Sequence, residues 1–344
     1  MKPERTKSTE VGLDFTLFKS RVGLELTYYD ATTFDQIIPI QVTGASGYTS
    51  KFINAGSVNN KGIEAILNVT PVRTKDLSWT LTFNFAKNKN EVVELYDENT
   101  KEIVIATFQS GVSLVARPGL PYGVLVGRGF VYTNGQKTVR DDGYYMSKSA
   151  QVIGNVTPDW FGGIGSTLSW KNISFNFLIS AKFGGDIYSL DQAYGQYVGL
   201  YPETAGTNDL GNPVRNTIDQ GGGLILDGVK EDGSKNDIRV SAENSDVSPF
   251  GIANNPNEAF IYDASFVKLR ELNLTYSLDK KLFENSRFIK GADISLTGRN
   301  LWIIHKNLPY ADPEDIYSAG NVSGHQGGAY PSVRTFGFNV KLKF

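Results

Sequence analysis

Few side chains in this 344-residue chain have a type and spacing that would do chemistry. Cys is absent and His occurs twice, at His305 and His325, so Cys-based structural zinc and thiol nucleophiles are excluded and a His-rich metal centre is not expected. Neither His has a neighbouring acid and nucleophile in an elbow or triad context, so no enzyme is expected and no catalytic residue is assigned. Asp141-Asp142-Gly143 and Asp232-Gly233 begin like cation loops but lack the ligand series of an EF-hand, and they read as turns. Gly221-Gly222-Gly223 is not followed by the lysine and helix that phosphate binding needs, and reads as a flexible loop. No cofactor and no metal is expected.

What remains is aromatic and acidic. Tyr194, Tyr197 and Tyr201 sit in a long predicted loop beside Gly195, Gly199 and Pro202. A tyrosine has an apolar body and a polar tip, so these rings are candidates to stack on a bound sugar. Packing of the loop on a barrel rim, or a place in an aromatic girdle, is the alternative. Glu25, Glu64 and Arg299 fall on wet strand faces, where they line a path or form internal ion pairs.

Charge and hydropathy narrow the partners. With 34 basic and 36 acidic residues the net charge is −2, which leaves no basic excess for nucleic acid. Mean hydropathy is −0.24, and no apolar run approaches the roughly 20 residues of a spanning helix. A membrane barrel remains open, because half of its strand positions face water.

The elements that carry these residues alternate. From Pro331 to the terminal Phe344, the residues Phe336, Phe338, Val340, Leu342 and Phe344 share one face and Thr335, Gly337, Asn339, Lys341 and Lys343 the other. The same period of two predicts strands around Val11–Leu17, Val22–Tyr28, Ile63–Val69, Trp79–Phe85, Ile164–Trp170, Ile173–Phe183, Val267–Tyr276 and Ile294–Trp302. Val267 and Leu269 are one residue out of phase with Leu272, Leu274 and Tyr276, which predicts a β-bulge at Arg270-Glu271. About nine strands result. Short turns at Lys19-Ser20-Arg21, Pro71 to Asp76, Lys171-Asn172 and Leu278 to Lys290 fall at one end. Long stretches at Asn88 to Pro158 and Tyr188 to Asp263 fall at the other. That asymmetry is the signature of an outer-membrane barrel with short periplasmic turns and long extracellular loops. The competing reading is a secreted β-sandwich, carbohydrate-binding or structural, whose strands also alternate but are typically shorter. Trp79, Trp170, Trp302 and Phe344 are expected near the membrane interfaces. Phe83, Phe85, Phe175, Phe177, Leu296 and Phe338 are expected to face lipid, with Asn84, Asn176, Thr297 and Asn339 facing the lumen.

Several stretches resemble a known family. "KPERTKSTEVGLD" followed by "RVGLELTYYD" resembles a paired-strand block of TonB-dependent outer-membrane receptors. "NAGSVNNKGIEAIL", from Asn54 to Leu67, resembles their Asn-x-Gly…Asn-Lys-Gly-x-Glu element. "VIGNVTPDWFGGIGSTLSWKNISFNFLISAKFGGDIY", "ASFVKLRELNLTYSL", "ISLTGRNLW" and the terminal Phe344 are similar to the SusC/RagA-type subfamily.

The resemblance implies an all-β antiparallel fold, with residues 1–344 forming the C-terminal part of a larger, 22-stranded barrel. It implies energy-coupled import of oligosaccharides or peptides across a Bacteroidota-like outer membrane. A SusD-like surface lipoprotein would cap the outer side. Phe344 would be the signal read by the barrel-assembly machinery. Met1 is followed directly by Lys-Pro-Glu-Arg-Thr, without the apolar core of a signal peptide. The plug and the TonB box are then expected on a preceding part of a longer protein. Contact with the TonB–ExbB–ExbD complex would run through that part.

Overall fold

The computed structural model describes residues 1–42, 44–48, 50–315, 322–330 and 332–344. Nine strands form one antiparallel sheet in strict chain order. They are β1 (Arg5–Leu17), β2 (Val22–Phe34), β3 (Gly56–Arg73), β4 (Leu77–Leu95), β5 (Trp160–Trp170), β6 (Ile173–Phe183), β7 (Phe266–Ser277), β8 (Gly291–Lys306) and β9 (Thr335–Lys343). β1 and β9 pair on one side only, and each is exposed along its full length.

Register keeps the two sets of side chains apart. Leu67, Phe83, Ile164 and Ile179 pair across β3 to β6 in one continuous row, and Phe175, Leu274, Leu296 and Phe338 across β6 to β9 in another. On the opposite face Asn176, Asn273, Thr297 and Gly337 pair in the same way. The expected segregation of Phe83, Phe85, Phe175, Phe177, Leu296 and Phe338 from Asn84, Asn176, Thr297 and Asn339 is therefore present. No second sheet lies on the apolar face among the described residues, where Leu13, Phe85, Leu296 and Phe338 are all exposed. The sandwich reading required one there.

The bulge falls at the expected place. Leu178 pairs with Glu271 and Ile179 with Leu269, which leaves Arg270 as the extra residue. The opposing strand answers between Arg299 and Trp302, where Asn300 has φ +51°. At the tight turn Lys171 has φ +50°, the left-handed first position that primed hairpin turns require.

Several boundaries differ from the sequence reading. β1 starts at Arg5 rather than Val11, and β9 at Thr335; Pro331 itself lies outside the described residues. β4 continues to Leu95, so Asn88 to Leu95 is strand and not loop. Asn88 and Asn90 leave no apolar alternation there because the strand has risen into the loop layer, where loop groups pack on it. Finally, the stretch holding the tyrosine cluster contains a helix, α1 (Leu190–Tyr197), with Ser189 Oγ accepting the Gln192 amide as its N-cap.

The described residues of the connections 96–159, 184–265 and 307–334 gather at one end into a cap. A four-stranded sheet of Ile103–Thr107, Ser113–Ala116, Val124–Phe130 and Ser147–Asn155 packs there with α1. Val112, Leu114, Leu125, Tyr188, Ala193 and Phe260 form its core, each at most 1% exposed. The strand Asp186–Ser189 pairs with Ile261–Asp263 on one side and, in parallel, with His325–Gln326 on the other. That pairing ties the last connection to the middle one.

Candidate functional site

The polar face of the wall and the underside of the cap enclose the groups able to meet a solute. Tyr122 donates its amide to Asn90 Oδ1 at 2.9 Å, and Asn90 donates to Thr157 Oγ1 at 3.3 Å. Both bonds seat cap segments on the polar face of β4. This is the face a barrel turns toward its lumen.

Lower on that face, Glu25, Thr27, Glu64, Asn84 and Phe161 line a groove of about 530 Å³. Glu25 and Glu64 have no ion-pair partner within 4.0 Å among the described residues. Arg299 lies on the same face, five strands from Glu64, and pairs with Glu271 at 2.9 Å. The three wet-face charges are thus split: one internal ion pair and two acids open to a groove.

At the rim, the bulge turns Arg270 toward Ser180, whose Oγ accepts from Arg270 Nε at 2.6 Å. Lys268, 5% exposed, donates to Asp312 and, at 2.6 Å, to Glu314. Arg270 also donates to Glu314 at 2.6 Å, and Ser332 donates to Asp312 at 2.7 Å. Burial pushes the Asp312 carboxyl up. Hydrogen bonds from Lys268, the Glu314 amide and Ser332, with the Lys268 charge, outweigh it and hold the group below the usual carboxylate range. Glu314 likewise is raised by burial but ends low, because Arg270 and Lys268 both donate to it. Asp315 goes the other way, raised by burial and by the neighbouring Asp312 charge.

Above this cluster lies a second groove, of about 260 Å³, lined by Asp191, Tyr201, Lys306, Tyr310, Asp315 and Gln326 among others. Tyr201 stacks on Tyr310 with centroids 4.3 Å apart. Of the tyrosines singled out in the sequence, Tyr201 alone lines this groove. Tyr194 is 44% exposed on α1, and Tyr197 donates its hydroxyl to Asp246 at 3.1 Å. His325 lies between Phe108 and Tyr188, stacked at 4.5 Å and 5.9 Å, and burial lowers its pKa. Gly143 turns at φ +85° with Asp142 accepting the Tyr144 amide, the turn its sequence suggested. Lys268, Asp312, Glu314 and Tyr310 were not foreseen. The one local signal was Lys268, a cation beside a phase slip on a strand.

A two-faced antiparallel wall, with short turns at one end and folded loops at the other, defines an outer-membrane type of β-barrel. The family model described as "TonB dependent receptor-like, beta-barrel" matches residues 1–301, and the chain belongs to that family. It is 27% identical over 373 residues to TonB-dependent receptor P26 of Formosa agariphila, covering 99% of this chain and 34% of that protein. It is 23% identical over 367 residues to TonB-dependent receptor SusC of Bacteroides thetaiotaomicron, covering 100% of this chain and 32% of SusC. The solved structure titled "Structure of the RagAB peptide transporter" superposes with a TM-score of 0.72 at 21% identity, over 99% of this chain and 35% of that one. The SusC/RagA-type resemblance read from the motifs is therefore borne out. The chain spans about a third of the length of the curated relatives it matches.

Proposed function

We propose that this chain is the C-terminal portion of the wall of a TonB-linked outer-membrane importer, nine strands of a barrel that reaches about 22 when complete. The carrying observation is the coincidence of two asymmetries: apolar from polar across the sheet, and short turns from folded loops along it. The first suits lipid outside and water inside; the second suits a periplasmic end and an extracellular end. A preceding part supplies the plug and the TonB box, through which the TonB–ExbB–ExbD complex acts. A SusD-like surface lipoprotein sits over the cap, and Phe344, 83% exposed beyond β9, is read by the barrel-assembly machinery. The cargo is an oligosaccharide or a peptide, and transport, not catalysis, is the task. The envelope is Gram-negative and Bacteroidota-like, in keeping with the relatives' sources.

Single cysteines in the intact receptor test this on whole cells. A cysteine at Leu200 in the cap should react with an impermeant maleimide, and one at Asn172 should stay silent until the cells are opened. Reaction at Asn172 with silence at Leu200 would overturn the topology.

A further inference from the structure

Tyr310 has φ +58°, a left-handed backbone that an aromatic residue adopts only when its surroundings impose it. Those surroundings are present. Leu308 is fully buried beside Ile187 and Ala264. The Pro309 carbonyl accepts from Gln192 Nε2 at 3.1 Å and from the Ala311 amide at 2.6 Å. Lys306 Nζ donates to the Ala311 carbonyl at 2.7 Å. Held this way, the Tyr310 ring lies on Tyr201 with the planes within 7°. Tyr201 itself rests on α1 at Gly195, where a Cβ would overlap its ring. Glu203 accepts the Tyr310 hydroxyl at 2.8 Å and fixes the outer end of the stack. Yet Tyr310 remains 57% exposed. Strain, stacking and a hydrogen bond all hold a ring that is left facing water.

The groove beside it is polar. Asp312 is neutralised by Lys268 from below, which leaves Asp191 and Asp315 with the Lys306 ammonium, and the Gln326 amide donating to Asp191. A flat apolar surface edged by acceptors matches a ligand with the same two sides. A pyranose has them: one face of C–H groups and a belt of hydroxyl donors. With Asp312 matched by Lys268, two carboxylates against one cation still oppose a ligand that brings further negative charge. We infer that the Tyr201–Tyr310 stack is a preformed platform for a neutral or amine-bearing sugar ring at the outer mouth of the barrel. This rests on the transport reading above.

The intact, detergent-solubilised receptor is screened against an array of neutral, amino, uronic and sulfated oligosaccharides, with a tryptic peptide mixture beside it. Capture should be confined to neutral or amino glycans. Tyr310→Ala should weaken that capture at least about tenfold, as loss of a central aromatic anchor does. Tyr310→Phe, which keeps the stack, should stay within about threefold, and Asp315→Asn should narrow the discrimination against uronic oligosaccharides. Heat-modifiable gel mobility shows whether each variant is folded. Capture of acidic glycans alone, of peptides alone, or of nothing would overturn the inference, and so would glycan capture by a folded Tyr310→Ala receptor equal to the unmodified one. Energised uptake in cells separates the two readings. Uptake with capture indifferent to Tyr310 faults the platform alone. Capture through Tyr310 without energised uptake faults the transport reading alone.

Discussion

The wall and the cap belong to one chain but are stabilised against different solvents. In the cap, Leu114, Leu125, Val112 and Tyr188 are fully withdrawn from water, as in a soluble domain. In the wall, residues of the same kinds, such as Leu168 at 37% and Phe175 at 36%, are open. The cap makes its own interior. The wall encloses no such interior among the described residues, and is joined strand to strand by its backbone ladder and by side-chain hydrogen bonds such as Thr70–Thr80 and Asn273–Thr297. What the difference teaches is that apolar content does not locate a core; the partner for an apolar face is set by what lies across it, side chain or lipid.

The junction gives the largest way to break the comparison. Lys268→Met leaves Asp312 buried without its cation, and removing one partner of a buried pair costs about 3–5 kcal/mol. Protease resistance of the cap in the intact receptor should fall, with the wall's heat-modifiable band retained. Loss of both together would mean that wall and cap are one cooperative unit. Next, Leu114→Ala in the cap core should cost about 2–5 kcal/mol, as for other fully buried leucines. Leu168→Ala on the wall should cost clearly less, since lipid fills the space; equal losses in a denaturant titration would show that wall leucines are packed on protein. Phe177→Arg on the apolar face should destabilise by about 2–4 kcal/mol if that position is mid-membrane. Asn176→Arg, one residue along and on the polar face, is the control, and equal effects in the same titration would erase the distinction between faces.

The smallest effect is that of pH. Asp312 and Glu314 lie below their ordinary values, so the stability they contribute is fully present above the unfolded carboxylate range, near pH 4. It is lost as pH falls through their lower folded values. Asp315, raised, takes up its proton first and opposes part of that loss. Cap proteolysis should therefore rise in acid while the labelling pattern of wall cysteines stays unchanged.

The wall was legible because each strand carries its own period. Phe175, Phe177 and Ile179 reveal a face without knowledge of any other residue, and Val267-Leu269 against Leu272-Leu274 reveal even the bulge. The cap was not legible. Lys268 meets Asp312 across 44 positions, and Tyr310 meets Glu203 across 107. Neither pair leaves a local pattern. α1 has no helical signature in the sequence because Gly195 sits within an eight-residue helix that tertiary packing, not propensity, maintains. Gly195 is there to let Tyr201 lie flat, a reason visible only once the two are in contact.

The extra residue at Arg270 has a consequence best stated as parity. Along the outer half of β7 odd positions, Val267 and Leu269, face the apolar side; along the inner half the even positions, Leu272, Leu274 and Tyr276, do. The strand is written in two reading frames joined at one residue. Deletion of Arg270 would join Leu269 directly to Glu271 and merge the two frames into one regular alternation, with Lys268 still on the polar face and Leu272 and Leu274 still on the apolar one; what would be lost is the bulge that aims Arg270 at Ser180 and Glu314. A deletion, which the loops of this chain should absorb readily, would invert half of β7 at a regularly paired position such as Asn273, and at this one position would leave both faces as they are.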